Sequence, residues 1–108
     1  MTSATVEASA DHGTVHIRLS GEIDLENVST VAEQICAALS GQPTVVSVDL
    51  TNLTYIDSVG IRMLFDLASH LHKSRIALKL IVPFGSPARR LIQFSGLGSL
   101  VALRPASS

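Results

Sequence analysis

At 108 residues the chain has room for one domain with a self-sufficient core. Hydrophobic residues make up 46% of it, which excludes a disordered chain, and the 4% aromatic content leaves the core to Leu, Ile, Val and Ala. A formal net charge of −1 without any polybasic tract excludes a general binder of nucleic acid or of anionic membrane.

Cys36 is the single cysteine, so no intrachain disulfide can form, and its apolar neighbours predict a buried, inert thiol. Met1-Thr2-Ser3-Ala4 has neither a charged nor an apolar targeting region, so no signal peptide is expected. No apolar run approaches the ~20 residues of a membrane span, so no direct membrane insertion is expected and the cytoplasm is the expected compartment.

The first predicted element is a short strand, Thr5 to Ala8, followed by the turn signal Asp11-His12-Gly13. From Thr14 to Ser20, Val15, Ile17 and Leu19 alternate with His16 and Arg18, the period of a strand with one wet face and the second arm of a hairpin. Leu25, Val28, Ala32, Ile35 and Leu39 form one apolar helical stripe. Its start is capped by Asp24, or by a Thr30 and Glu33 capping box, and Gly41 and Pro43 end it.

Thr44 to Leu50 carries Val on both parities, which predicts a strand covered on both faces. Leu53 to Ile56 leads into a second helix from about Ser58 to Lys73, and Ile76 to Val82 reads as a further strand. Ser86-Pro87 opens a third helix carrying Ala88, Leu91 and Ile92, with Gly96 as its glycine cap. Leu100 to Leu103 reads as a last strand before a frayed tail from Arg104. The order β-β-α-β-α-β-α-β predicts an α/β fold with an antiparallel hairpin opening an otherwise parallel sheet.

The most informative stretch is Val48-Asp49-Leu50-Thr51-Asn52-Leu53-Thr54-Tyr55-Ile56-Asp57-Ser58-Val59-Gly60-Ile61. Together with Gly21-Glu22-Ile23-Asp24 upstream, it resembles the signature of the STAS family, the domain of anti-sigma-factor antagonists. The resemblance spans nearly the whole chain. It implies a single STAS-like domain over residues 1–108, with its core at about 5–103, a flexible tail at 104–108, and a small mixed sheet flanked by helices on one face.

By that resemblance, Ser58 matches the serine phosphorylated by a cognate anti-sigma kinase, and Asp24 and Asp57 match the acidic residues beside it. Partner binding would draw on Asp24, Asp57, Ser58, Val59, Gly60, Arg62 and Met63. Val59 departs from the family, which usually has a small hydroxyl residue there, and Arg62 stands where antagonists often have a small residue. The implied function is that of an anti-sigma-factor antagonist. Unphosphorylated, it binds an anti-sigma factor of serine-kinase type and releases a sigma factor; phosphorylation ends the interaction and a serine phosphatase restores it. A monomer or weak dimer is expected.

Elementary chemistry reaches the same residues. Ser58 is expected at a helix N-terminus, where free backbone N–H groups and the dipole favour an anion. A phosphate there adds roughly −1.5 to −2 charge to a patch already acidic through Asp57 and Asp24. On the second helix Arg62, Asp66, Ser69 and Lys73 make a narrow polar stripe, and the remaining apolar arc is wider than burial of one face requires. That surplus either docks a partner or wedges the helix against a neighbour.

Plainer readings stand beside these. A serine or aspartate before a helix is ordinarily only a cap. A hydrolase nucleophile elbow, Gly-x-Ser-x-Gly, is broken by Ile56, and no histidine is marked as a base, so no enzyme activity is expected. His12, His16, His70 and His72 show no metal-ligand spacing and read as solvated, as does the Arg89-Arg90 pair. Without a Gly-rich phosphate loop no nucleotide or other cofactor is expected. The alternatives to the antagonist are a STAS-type accessory subunit of a membrane-transport assembly and a component of a large signalling assembly.

Overall fold

The computed structural model describes residues 3–95 and 102–104. The elements follow in the expected order: β1 (Ala4–Asp11), β2 (Thr14–Ile23), α1 (Val28–Ala38), β3 (Val45–Ile56), α2 (Ser58–Lys73), β4 (Ala77–Ile81), α3 (Pro87–Ser95) and β5 (Ala102–Arg104). They form a five-stranded mixed sheet in the order β1-β2-β3-β4-β5. The β1–β2 pair is antiparallel and the other pairs are parallel. Arg104, assigned to the tail from sequence, belongs to β5. The Gly96 cap, the expected strand start at Leu100 and the tail at 105–108 lie outside the described residues.

The hairpin closes through His12 and Gly13, both at positive φ (50° and 80°). That pair of values is a type I′ turn, whose twist matches the strands it joins. Beyond the hairpin, each parallel pair is linked through one helix and the strand order advances in one direction. Right-handed crossovers of this kind put every helix on the same face of the sheet.

Val15, Ile17 and Leu19 of β2, Val46, Val48 and Leu50 of β3, and Leu78 and Leu80 of β4 line that face. Val31, Ile35, Leu64, Leu67, Leu71 and Ile92 pack onto them from the helices. The other face is open and polar, with His16, Arg18 and Lys79 exposed. The expectation that β3 is covered on both faces is therefore corrected. Ser47 is buried, at 8% exposure, in the middle of the sheet between its register partners His16 and Lys79. Among the described residues no second layer covers it; the one valine on that parity, Val45, is half-buried as a residue of a central strand.

The first helix also differs from its expected frame. Leu25 lies outside α1 and is 76% exposed, while Val31, which the spacing had passed over, is buried with Ile35. The cause is local. Asp24 accepts from Glu26 N (2.9 Å) through Oδ1, and Val28 N donates to Asp24 O (2.9 Å). This turn delays the helix to Val28. Asn27 holds the N-cap position, but its side chain bonds backwards, accepting from Asp24 N (3.0 Å) and donating to Glu22 O (2.8 Å). Neither expected cap forms, and α1 ends at Ala38, before Gly41 and Pro43.

Leu64 is fully buried between α2 and the sheet. Leu64→Ala is expected to cost about 3 kcal/mol of folding free energy, read as a lower urea midpoint. Lys79→Ala on the open face should leave that midpoint nearly unchanged.

Candidate functional site

The site is set by one pair of residues. Ile23 at the end of β2 and Ile56 at the end of β3 are partners in the parallel register, and both are buried. Asp57 N donates to Ile23 O (3.4 Å). The residues that follow, Asp24 and Asp57, therefore leave the sheet side by side at the same end.

Both sequence motifs have a glycine with a steric reason. Gly21 lies at φ 91°, a left-handed value, and a Cβ there would run into the carbonyl of Ser3, which accepts from Glu22 N (2.9 Å). Gly60 is an ordinary helical residue, but a Cβ on it would come within 2.5 Å of Ile56 Cγ1 and 3.2 Å of Ile23 Cγ2. The first turn of α2 thus rests directly on the Ile23–Ile56 pair.

Asp57 is the N-cap of α2, with φ −107° and ψ −171°. Its Oδ1 accepts from Val59 N (3.0 Å) and Gly60 N (3.2 Å). The expectation that Ser58 faces free first-turn N–H groups is corrected, because the Asp57 carboxylate already satisfies two of them. Ser58 is the first helical residue and is exposed, and its hydroxyl makes no hydrogen bond among the described residues.

Two hollows flank Ser58. One is a groove of about 390 Å³ between α1 and α2, predominantly apolar. Val28, Ala32, Ile35 and Cys36 line it from α1, and Val59, Arg62, Met63, Leu67 and His70 from α2. The apolar arc of α2 is divided: Leu67 wedges into the core, while Val59 and Met63 remain half-buried at the groove. Cys36, expected to be buried, is exposed here, because α1 is rotated to turn Val31 and Ile35 inward. The other hollow is a cleft of about 560 Å³ lined by Thr54, Tyr55, Ile56, Asp57 and Ser58 and by Gly85, Arg90 and Leu91 across from them.

The structure brings together Asp24, Asp57, Ser58, Val59, Gly60, Arg62 and Met63, all in or beside the first turn of α2 and the turn after β2. Arg62 and Asp66, both exposed, pair at 3.7 Å. Leu25 stands exposed beside Asp24, and Tyr55 (50%) and Leu91 (39%) are exposed beside Ser58. These three were not foreseen. Tyr55 was within reach of the alternation in β3, because Ile56 points inward, whereas Leu91 arrives through tertiary packing.

The Arg89-Arg90 pair is split. Arg89 donates to Val82 O (2.7 Å) and its guanidinium lies 4.2 Å from the centroid of the Phe84 ring. Arg90 alone is exposed. No histidine lines the cleft at Ser58, and among the described residues no cluster of side chains is arranged to hold a metal ion. No helix among them is long and apolar enough to cross a membrane.

The sequence pattern of the STAS domain matches residues 5–108. The chain belongs to the STAS-domain family, and it has the SpoIIAA-like fold of that family's small mixed sheets. Its curated relatives include anti-sigma-F factor antagonists. It is 31% identical over 96 residues to the anti-sigma-F factor antagonist RsfB of Mycobacterium tuberculosis, covering 88% of this chain and 76% of RsfB. It is 36% identical over 87 residues to the anti-sigma F factor antagonist of Lysinibacillus sphaericus, covering 79% of this chain and 73% of that one. Among solved structures, unphosphorylated SpoIIAA superimposes with a TM-score of 0.73 at 26% identity, covering 96% of this chain and 90% of that one. The phosphorylated form of SpoIIAA from Bacillus gives 0.70 at 27%, covering 96% and 93%.

Asp57→Ala is expected to cost about 1 kcal/mol through loss of the cap, with Asp57→Asn retaining most of that stability in thermal melts. Gly60→Ala should destabilise by about 1–2 kcal/mol, since crowding against the branched, buried Ile56 outweighs the gain in helix propensity. Urea titration checks it.

Proposed function

We propose that this chain is an anti-sigma factor antagonist whose unphosphorylated form binds an anti-sigma factor of serine-kinase type, and that phosphorylation of Ser58 ends the binding. The observation that carries this reading is the placement of Ser58. Its hydroxyl is exposed at the first position of α2, between the acidic turns that end β2 and β3 and the apolar α1–α2 groove.

In the neutral state a partner can cover Val59, Met63 and Leu25 and meet a hydroxyl that needs only one hydrogen-bonding neighbour. Asp24 and Asp57 add negative charge at the rim, which suits a basic surface on the partner. Phosphorylation places roughly −1.5 to −2 further charge at the centre of that contact. The Asp57 carboxylate already holds the Val59 and Gly60 N–H groups, so the helix end has little left to offer the phosphate. A partner fitted to the hydroxyl then meets a bulky, charged group that its own surface does not match, worth several kcal/mol against binding. Among the described residues no histidine lines the cleft at Ser58, and on this reading the phosphoryl transfer belongs to the partner's own ATP site and a serine phosphatase resets the switch.

Titration calorimetry against a purified anti-sigma kinase tests this. Wild type and Ser58→Ala are expected to bind alike, and Ser58→Asp at least about 100-fold more weakly. Only wild type should gain one phosphate when ATP is added. Equal binding by all three variants would refute the switch.

A further inference from the structure

We propose that Arg90 of α3 receives the phosphate on Ser58, inside the cleft between the start of α2 and α3. The inference rests on the reading of Ser58 as a phosphorylation site and adds where the phosphate goes once attached. A phosphoserine at this position needs a cation, because its immediate surroundings offer none. The first-turn N–H groups of Val59 and Gly60 are taken by Asp57, so the anion-binding end of the helix is already occupied by a carboxylate of this chain. Asp24, at the end of the neighbouring strand, adds a second negative group nearby.

The arginines around the site divide sharply. Arg62 is paired with Asp66 at 3.7 Å and lines the α1–α2 groove, not the cleft. Arg89 is held by Val82 O at 2.7 Å and lies over Phe84. Arg90 lines the same cleft as Ser58, is exposed, and has no ion-pair partner among the described residues. Its long side chain can swing across the cleft, and a guanidinium fits the oxygens of a phosphate two at a time. The hydroxyl of Tyr55, in the same lining, is a further donor at the rim. The phosphorylated state is then an ordered one, with the phosphate drawn toward α3 and away from the groove.

The test uses phosphoserine installed at position 58 during synthesis of the full chain, so that no kinase is involved, and phosphorus NMR to follow its second ionisation. The charged groups facing it are Asp57, Asp24, Arg90 and, one helical turn along α2, Arg62; Tyr55 is the remaining titratable neighbour. A paired cation favours the dianion and lowers the midpoint. Arg90→Gln is expected to raise it by about half a pH unit or more, Arg90→Lys by less, and Arg62→Gln hardly at all. Arg90 is exposed, so these variants should fold as wild type does, which thermal melts verify. An unchanged midpoint in Arg90→Gln, or a larger rise in Arg62→Gln, would overturn the proposal. A separate incubation of the unmodified protein with an anti-sigma kinase and ATP tests the switch itself. Failure there removes the switch and leaves the NMR result to stand or fall alone.

Discussion

The parallel pairing of β2 with β3, carried through to Ile23 and Ile56, is the constraint on which the rest of this molecule depends. It fixes the end of the sheet at which two acidic turns emerge together, and it supplies the two buried isoleucines on which α2 begins. Every other feature of the site is a consequence. Gly60 is required because the helix starts so close to that pair, and Gly21 because β2 must bend past Ser3 to reach it. Asp24 and Asp57 each turn the chain from a strand into a helix, one through an aspartate turn and the other through a true cap. The acidity of the patch is thus tied to its architecture. The same carboxylates that shape the two turns give the surface its sign.

That dual use clarifies how a single exposed serine can act as a switch. A scaffold that offered free helix N–H groups would absorb a phosphate with little change in surface potential. Here Asp57 has filled that place in advance, so a phosphate on Ser58 changes the surface greatly. On the proposed reading, the apolar groove beside it would supply the binding energy and the serine the veto. Val59, where the resemblance implies a small hydroxyl residue, adds apolar surface at the groove, and Leu25 is exposed on the far side of Asp24. The surface around Ser58 is accordingly more hydrophobic than the motif alone suggests.

Much of this was legible in the sequence because it is local. Alternation in Val15-His16-Ile17-Arg18-Leu19 and the helical spacing in α2 report directly on burial, and element order then restricts the topology to very few choices. The acidic residues and the serine were legible through a motif whose glycines have steric causes. What was missed depends on contacts between distant segments. The frame of α1 was misjudged because the Asp24–Asn27 turn, not the apolar spacing, decides where the helix starts, and this in turn exposes Cys36. Val45 was over-read, since a central strand in an open sheet can half-bury a residue on its open parity without a second layer. Leu91 and Arg90 enter the cleft only because α3 packs across from β3, which no local pattern announces.

The most direct test of the central claim, that a partner reads the surface around a neutral Ser58, is amide hydrogen exchange on the complex with a purified anti-sigma kinase. Exchange should slow on complex formation in the first turns of α2, along the groove face of α1 and in the turn at Asp24 and Leu25. The free rates should return when Ser58 carries a phosphate. Protection confined to the open sheet face around His16 and Lys79, or protection at α2 that persists with phosphorylated Ser58, would contradict it.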